Sequence, residues 1–246
     1  MNDAAVTCAN CDAGLANGQK YCGECGQRTT PLRLTTGQML HDFVHVLTHI
    51  DHSILTLIKS LIIRPGRVSR EYVDGKRKKH FGPLAFLLIT VGLASFLIAI
   101  TGVKFFTPVG ENNAAEFLQR HINLVILLQM PLLAAACTLL FWDEKLHYAE
   151  HLVLSAYTSG FRILILGLVA TPVIALAKVA PASASFVPWY IGLWLVYFSF
   201  AAAQFYRAGN VFWVITRAVI AALIGQAATI YLIYAFIVLF EIVRVL

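Results

Sequence analysis

Four cysteines near the start of the chain have the types and spacing of a metal site. Cys8 and Cys11 form one Cys-x2-Cys pair, Cys22 and Cys25 form a second, and ten residues separate the pairs. Each pair places two thiolates on one tight turn, and two such turns complete a tetrahedral four-sulfur site that suits zinc. Because four protein ligands leave no open position, residues 1–34 are predicted to be a ribbon with structural Zn²⁺ as its cofactor. Iron or a redox dithiol are the alternatives.

Histidines form a second group of candidate metal ligands. His41, His45, His49 and His52 fall on one stripe of a predicted helix, with spacings of three or four residues. This spacing puts imidazoles about one helical turn apart, which suits metal coordination. The alternative, which the sequence favours, is a polar helix face that meets water or lipid headgroups.

A short string further along the chain provides candidate catalytic residues. His147-Tyr148-Ala149-Glu150-His151 matches the inverzincin pattern His-x-x-Glu-His. In that chemistry the two histidines would bind zinc and Glu150 would act as the general base. The chain offers no convincing acidic ligand downstream, so a solvated helix start at the membrane surface is the favoured interpretation.

The composition of the whole chain excludes a single water-soluble core. Of the 246 residues, 59% are hydrophobic and 13% are charged, and the mean hydropathy is +0.72. A soluble domain is about half apolar and about a quarter charged. Residues 1–82 contain 11 of the 19 Lys and Arg and 7 of the 13 Asp and Glu. This distribution predicts a small polar head followed by a large membrane domain, without internal repeats.

The membrane domain, residues 83–246, is predicted to be all-α with about five transmembrane helices. A bilayer core of about 30 Å requires roughly 20 apolar residues in a helix. Five runs meet this requirement, near residues 83–103, 122–142, 161–180, 186–206 and 218–240.

Polar residues inside these runs have specific expected roles. Arg162, at the start of the third run, is expected to extend its charged end to the membrane surface. Pro172 is expected to kink the same helix. Hydrogen bonds between helices are expected from a small polar set, which comprises Asn123, Gln129, Thr171 and Gln226.

Residues 35–82 are predicted to be an amphipathic interfacial helix and a basic linker. At 100° per residue, the apolar side chains of residues 36–63 share one face, as in helices that lie along a bilayer surface. Eight Lys and Arg occur between Lys59 and Lys79, beside two acidic residues. Basic residues near an anionic leaflet bind lipid headgroups, so lipid or phosphate contact is expected from Arg64, Arg67, Arg70, Lys76, Arg77, Lys78 and Lys79.

The same basic cluster predicts the orientation of the chain. Lys and Arg next to the first membrane span are retained in the cytosol. The N-terminus is therefore expected in the cytosol, and five spans then place the C-terminus outside.

Several motifs together resemble a known family. Residues 21–27 have the pattern Tyr-Cys-x-x-Cys-Gly-Gln, and residues 65–77 have Pro-Gly-x5-Tyr-x2-Gly-Lys-Arg. Pro83 begins the first span, and residues 150–152, Glu-His-Leu, precede the third. This combination resembles the bacterial membrane protein family called domain of unknown function 3667 over essentially the whole chain. The resemblance implies an integral inner-membrane protein with an N-terminal zinc ribbon and no established activity.

The expected function is that of a membrane scaffold or adaptor that recruits a cytosolic protein while its linker contacts anionic lipids. The head lacks the interleaved aromatic and basic residues of nucleic-acid binders, so a nucleic-acid partner is not expected. One alternative is a lipid-acting enzyme with a metal bound by His45, His49, His147 and His151. A second is a transporter or lipid mover, for which the spans offer little beyond Asn123 and Gln129.

Overall fold

The computed structural model describes residues 7–16, 18–29, 34–37, 39, 53–103, 121–177, 186–207 and 209–245. Within these residues the regular secondary structure is helical, apart from two isolated β-bridges in the cysteine-containing head, which otherwise consists of turns and irregular backbone. Residues 38 and 40–52 of the predicted amphipathic helix lie outside the described residues, and with them its histidine stripe, His41, His45, His49 and His52.

Eight α-helices follow one another in the described residues. Their bounds are α1 Ser53–Ile63, α2 Pro65–Val73, α3 Pro83–Thr101, α4 Ile122–Leu140, α5 Tyr148–Ile165, α6 Thr171–Ala177, α7 Phe186–Phe205 and α8 Val211–Val245. A π-helical turn, Leu166–Ala170, joins α5 to α6, and a 3-10 turn, Trp142–Glu144, follows α4. Proline occupies the first position of α2 and α3, where its missing N–H has no helical partner to lose.

Three helices in the described residues are long and apolar enough to cross a membrane. They are Pro83–Thr101, Tyr148–Ala177 and Val211–Leu239. Shorter apolar segments occur within α4 and α7, at Leu127–Leu140 and Trp189–Phe205. An all-helical protein of the membrane type is therefore confirmed, with three candidate spans.

Small residues allow the long helices to approach closely. A Cβ atom on Gly167 would lie 2.9 Å from the Cα of Ala94 in α3, and one on Gly225 in α8 would lie 3.1 Å from the Cα of Leu133 in α4. Ala221, one turn before Gly225, is fully buried. This small-residue pattern replaces the hydrophobic effect as the basis of helix association where lipid is the solvent.

The helix that contains the third apolar run begins at Tyr148, thirteen residues before the predicted start of the run at Phe161. Arg162 is consequently in the middle of the continuous helix Tyr148–Ala177. The expectation that Arg162 extends to the membrane surface from a helix start is wrong, because its guanidinium contacts polar side chains of neighbouring helices.

A change in the hydrogen-bond pattern of the helix directly precedes Pro172. A proline inside a helix cannot donate a hydrogen bond, and its ring displaces the carbonyl group of the preceding turn. The π-helical turn Leu166–Ala170 lies directly before Thr171 and Pro172, as expected for a widened ladder. The hydroxyl of Thr171 donates to the carbonyl of Leu166 at 2.8 Å, which satisfies one of the displaced acceptors.

The linker before the first long helix is folded onto the bundle. A Cβ atom on Gly66 would lie 1.9 Å from the carbonyl oxygen of Ala201, so only glycine allows α2 to approach α7 this closely. Tyr72 is buried edge-on against Tyr157, with ring centroids 6.0 Å apart. The hydroxyl of Tyr157 donates to the carbonyl of Phe81 at 2.6 Å. α2 is thereby held against α5 and α7, directly before the linker residues that follow it in the chain.

Candidate metal centre

The two cysteine pairs adopt the same local fold, 14 residues apart in the sequence. The first cysteine of each turn donates its amide hydrogen to a carbonyl five residues later, Cys8 to Ala13 at 2.9 Å and Cys22 to Gln27 at 2.7 Å. Isolated bridges close both turns, between Thr7 and Gly14 and between Tyr21 and Arg28. The head is therefore an internal repeat. The expectation that the chain has no internal repeat is therefore wrong. The repeat is not visible in the sequence because residues 7–14 and 21–28 share only their cysteines.

A left-handed residue follows the second cysteine of each pair. Asp12 has φ of 59° and Gly26 has φ of 68°. Glycine adopts this conformation freely, and aspartate is among the few other residues that tolerate it. Each of these residues donates its amide hydrogen to the carbonyl of the first cysteine, Cys8 or Cys22, at 2.9 Å. The turn thus holds both sulfur atoms of a pair on one side.

The four sulfur atoms face one another across the two turns. All four Sγ atoms lie within 4.8 Å of one another. The Sγ atoms of Cys8 and Cys25 are 3.6 Å apart, as are those of Cys11 and Cys22. Zinc bonds of about 2.3 Å in tetrahedral geometry place sulfur atoms about 3.8 Å apart, whereas a disulfide requires about 2.05 Å. The arrangement therefore fits a tetrahedral metal ion rather than disulfides.

The thiols differ in their ease of ionisation. Hydrogen bonds from the amides of Asn10 and Cys11 lower the pKa of Cys8 to about 7. The amide of Ala13 also lowers the pKa of Cys11, but burial and the three neighbouring cysteine sulfurs raise it to about 12. Four adjacent thiols do not all ionise without a compensating cation, so metal binding here is coupled to proton release.

Gln27 connects the second cysteine turn to the linker before α3. Its Nε2 donates to the carbonyl of Gly75 at 2.5 Å. Its Oε1 accepts from the amides of Arg77 and Lys78, at 3.2 and 3.3 Å. One side chain thereby satisfies three backbone groups of residues 75–79, the basic turn.

The first cysteine turn contacts the same segment. Asn10 Oδ1 accepts a hydrogen bond from the amide of Lys79 at 3.1 Å. Gly75 has φ of +109°, and a Cβ atom there would lie 3.3 Å from the Cβ of Ala9. Both turns of the head are thus docked on residues 75–79. Asn10 and Gln27 were not predicted as contact residues, although Gln27 and Gly75 belong to the motifs that indicated the family.

Residues 51–94 match the model of a family described as a protein of unknown function, DUF3667. This segment belongs to the DUF3667 family. The family predicted from the motifs is therefore confirmed over residues 51–94. The DUF3667 segment comprises α1, α2, the basic turn and the first half of α3, so it includes the surface on which the head docks. No curated protein and no solved structure matches the chain.

The basic residues of the DUF3667 segment fall into two groups by exposure. Arg64, Arg67, Lys78 and Lys79 are exposed, and the remaining three predicted lipid contacts are partly buried, namely Arg70, Lys76 and Arg77. Arg70 forms an ion pair with Asp74 at 3.1 Å, and Lys79 forms one with Glu71 at 2.7 Å. Two of the predicted lipid contacts, Arg70 and Lys79, therefore pair with carboxylates of the protein itself.

His80 and Glu71 form a partly buried pair beneath the head. His80 Nε2 lies 2.8 Å from Glu71 Oε2. Burial raises the pKa of Glu71, but hydrogen bonds from Lys79 and His80 outweigh it and lower the value to about 2. Burial lowers the pKa of His80, despite the opposing effect of Glu71. This pair joins the end of α2 to the residues directly before α3.

The candidate catalytic string starts α5. The amide of His147 donates to Glu150 Oε2 at 2.7 Å, so this carboxylate caps the helix. His151 is fully buried, and its Nδ1 lies 2.8 Å from the hydroxyl of Tyr206. Glu150 and His151 thus have different partners. In the residues that the structure describes, the four cysteines are the group that could hold a metal.

Proposed function

We propose that this protein is a bacterial inner-membrane scaffold whose cytosolic, zinc-stabilised head recruits a protein partner. The observation that carries the proposal is the docking of a closed four-cysteine centre on the membrane-proximal linker through Asn10 and Gln27. A head attached in this way holds its outer surface at a defined position above the helix bundle.

A structural role for the metal follows from its ligand set. Four cysteine sulfurs complete a tetrahedral shell, so no position is left for water or substrate. Zinc is the proposed ion because a tetrahedral four-sulfur site suits it and the thiols are too far apart for disulfides. The predicted ribbon is therefore proposed as a binding module rather than a catalytic one.

Tyr21 is the proposed anchor for the partner. It directly precedes Cys22, and its side chain is 60% exposed although it is aromatic. Tyrosine is enriched at protein interfaces because its ring buries a large area while its hydroxyl remains hydrogen-bonded. The rigid cysteine turn holds this ring in place before binding, which lowers the entropic cost of association.

Five membrane crossings, by α3, α4, α5–α6, α7 and α8, are part of the proposal. The helices α4 and α7 have no charged residue and 19 and 20 residues, so each is about 30 Å long. Ion pairs join helix ends on the head side, between Asp74 and Arg207 at 3.1 Å and between Asp143 and Arg217 at 2.7 Å. These pairs are consistent with helices that alternate in direction.

The distribution of basic residues supports a cytosolic head. Lys and Arg are retained on the cytosolic side of membrane spans, and the eight from Lys59 to Lys79 all precede α3. Exposed Arg64, Arg67 and Lys78 are the proposed contacts with anionic headgroups. Each such residue contributes about 1 kcal/mol of membrane attraction.

The recruitment proposal is tested by photo-crosslinking in intact cells. A photoreactive amino acid replaces Tyr21, and a matched control replaces Trp142, a 77% exposed aromatic residue beside the bundle. The proposal expects one discrete adduct from position 21, none from position 142, and loss of the adduct in Cys22→Ser/Cys25→Ser. A wild-type head that yields no discrete adduct would overturn the scaffold function.

Topology has a separate test. A reporter fused after Leu246 is expected outside the cytosol, and one fused after Lys145, between α4 and α5, is expected inside. A cytosolic signal from the Leu246 fusion would contradict the five-span arrangement, whatever the outcome of crosslinking.

A further inference from the structure

Arg162 is a positive charge inside the helix bundle. It lies 14 residues after Tyr148 in a continuous helix, about 21 Å from the helix start. The chain has no Asp or Glu between Glu150 and Glu241, and α3 and α4 have none either. A charged residue at membrane depth is costly, and it ordinarily pairs with an opposite charge or serves a function.

The guanidinium joins four helices through neutral partners. Arg162 Nε donates to the hydroxyl of Tyr190 in α7 at 2.9 Å. Arg162 Nη1 donates to Gln129 Oε1 in α4 at 3.1 Å. Gln129 Nε2 in turn donates to Gln226 Oε1 in α8 at 2.5 Å. The hydrogen bond between Gln129 and Gln226 confirms part of the predicted interhelical set, and Arg162 is its unexpected centre.

Two aromatic rings complete the surroundings of this charge. The Arg162 Cζ atom lies 4.6 Å from the ring centroid of Tyr190 and 4.5 Å from that of Trp194. Cation–π contacts of this kind stabilise a guanidinium but carry no formal negative charge. The Arg162 cluster, defined as Arg162, Gln129, Tyr190, Trp194 and Gln226, therefore retains a net charge of about +1.

Hydrogen-bond donors exceed acceptors in the Arg162 cluster. Trp194 is 3% exposed, and within the described residues its indole Nε1, which is only a donor, has no hydrogen-bond partner. A guanidinium has five N–H groups, of which the bonds to Tyr190 and Gln129 use two. Arg162 and Gln129 are only partly buried, so the cluster is accessible from outside the bundle.

We propose that the Arg162 cluster binds a phosphate-type oxyanion. Guanidinium groups bind phosphate with paired, charge-assisted hydrogen bonds. Because the guanidinium carbon lies over the face of the Trp194 ring, 4.5 Å from its centroid, and the indole Nε1 lies in the plane of that ring, the donors of the two groups lie in separate layers. The tetrahedral oxygens of a phosphate accept from both layers, whereas a planar carboxylate is less suited to do so. The phosphate belongs to a lipid headgroup or is free, and binding supplies the negative charge that is absent from the described partners of Arg162.

Binding is measured by native mass spectrometry on the delipidated full chain in detergent. The probes are dioleoyl phosphatidylglycerol, dioleoyl glycerol without phosphate, and inorganic phosphate. A lipid source predicts one phosphatidylglycerol per chain, bound at least tenfold more tightly than dioleoyl glycerol. A free-phosphate source predicts that inorganic phosphate binds alone and displaces the lipid. Wild-type protein that binds none of the phosphate probes specifically would overturn the proposal.

Variants separate anion binding from a merely structural role. Gln129→Glu places a carboxylate beside Arg162 and preserves the shape of the side chain, so it should retain the fold and weaken phosphate binding at least tenfold. Trp194→Phe removes the indole N–H and should weaken binding severalfold. Arg207→Gln, which removes an exposed arginine on the head side, is the control and should bind as wild type does. Unchanged binding by Gln129→Glu would overturn the proposal even if Arg162→Gln failed to fold.

Discussion

The cysteine-containing head and the helix bundle owe their stability to different interactions. In residues 7–16 and 18–29, which contain the four cysteines, only Cys8 and Cys22 are buried, whereas Leu34, at the end of the predicted ribbon, packs in the core of the bundle. The bundle instead contains two clusters of buried apolar side chains. A segment this small cannot bury enough apolar surface to fold alone, so it requires a metal or a disulfide. The comparison shows that packing forms the core of the bundle, whereas the head has in its place four cysteine sulfurs that could hold a metal.

A small set of contacts joins these two regions. Asn10 and Gln27 reach the basic turn at residues 75–79 through side-chain hydrogen bonds to the backbone, with little apolar burial. The joint is therefore weaker than either region when the metal is bound. Changes in the head, in the bundle and in the joint should have separable effects.

The largest expected effect is loss of the metal. Cys22→Ser/Cys25→Ser should reduce bound zinc from one ion per chain to almost none and unfold the head, because structural zinc contributes on the order of 10 kcal/mol to such folds. Elemental mass spectrometry measures the zinc, and circular dichroism should show unchanged bundle helicity.

Cys137→Ser is the matched control, because this buried thiol belongs to the bundle. It should retain the full zinc content. A metal ion that remains bound after the double cysteine change would contradict the assignment of all bound metal to the cysteines, since the histidines would then be the remaining ligands.

The next largest effect is expected within the bundle. Gly66→Ala should destabilise the packing of α2 on α7 by about 3 kcal/mol, because its Cβ would meet the backbone oxygen of Ala201 at 1.9 Å. Thermal unfolding in detergent measures the change, and zinc content should not alter.

Gly92→Ala provides the comparison in a neighbouring helix. A Cβ atom there meets nothing within 4 Å, and alanine favours a helix over glycine by up to about 1 kcal/mol. Equal melting temperatures for the two variants would show that α2 does not pack closely against α7.

A smaller effect is expected at the joint. Gln27→Ala removes three hydrogen bonds to the backbone of Gly75, Arg77 and Lys78. The loss should cost about 1–3 kcal/mol and undock the head without releasing zinc. Faster hydrogen exchange at the amides of Arg77 and Lys78 is the measurement.

Gln19→Ala is the control for the joint, since Gln19 Oε1 accepts from Ala16 within the head. It should leave exchange at residues 77 and 78 unchanged. Slow exchange in Gln27→Ala would show that the head is held to the bundle by other contacts.

The smallest expected effect is a pH dependence beneath the head. Burial lowers the pKa of His80 from its ordinary 6.5, so the unfolded chain binds more protons and stability falls as pH drops below 6.5. The lowered pKa of Glu71, about 2 against an ordinary 4.5, acts in the same direction as pH drops below 4.5.

Melting temperatures at pH 7.5 and pH 5.5 test the contribution of His80. His80→Gln retains a hydrogen-bond donor for Glu71 without a titrating group in this range. The wild-type chain should lose more stability than His80→Gln on acidification, and metal release affects both chains alike. An identical decrease in melting temperature in both chains would show that His80 does not contribute to the loss of stability in acid.

Much of the architecture was predictable from local patterns. The four cysteines were predicted as one site because each pair lies within a single turn, and the structure brings their sulfurs together. The all-helical membrane type followed from apolar runs. The kink predicted at Pro172 stays a prediction, and a π-helical turn directly precedes Thr171 and Pro172. The family followed from short motifs and is confirmed by residues 51–94.

Other features were not predictable because they depend on partners distant in the sequence. Gln27 contacts a turn 48 residues away, and nothing near it in the chain indicates this role. The position of Arg162 was predicted wrongly because hydropathy marked the apolar part of a helix that begins earlier, at Tyr148. The five-span count and the lipid contacts of Arg64 and Arg67 stay predictions.

The sequence by itself determined the type of each segment: cysteine spacing predicts a four-sulfur site, and apolar runs indicate a nonpolar environment. These properties are local, since they depend on residues within one turn or one helix. Only the tertiary structure decided which side chains meet. It places the charge of Arg162 among Gln129, Tyr190 and Gln226 from three other helices. Helix packing, rather than any local pattern, determines which residues contact this partly buried charge.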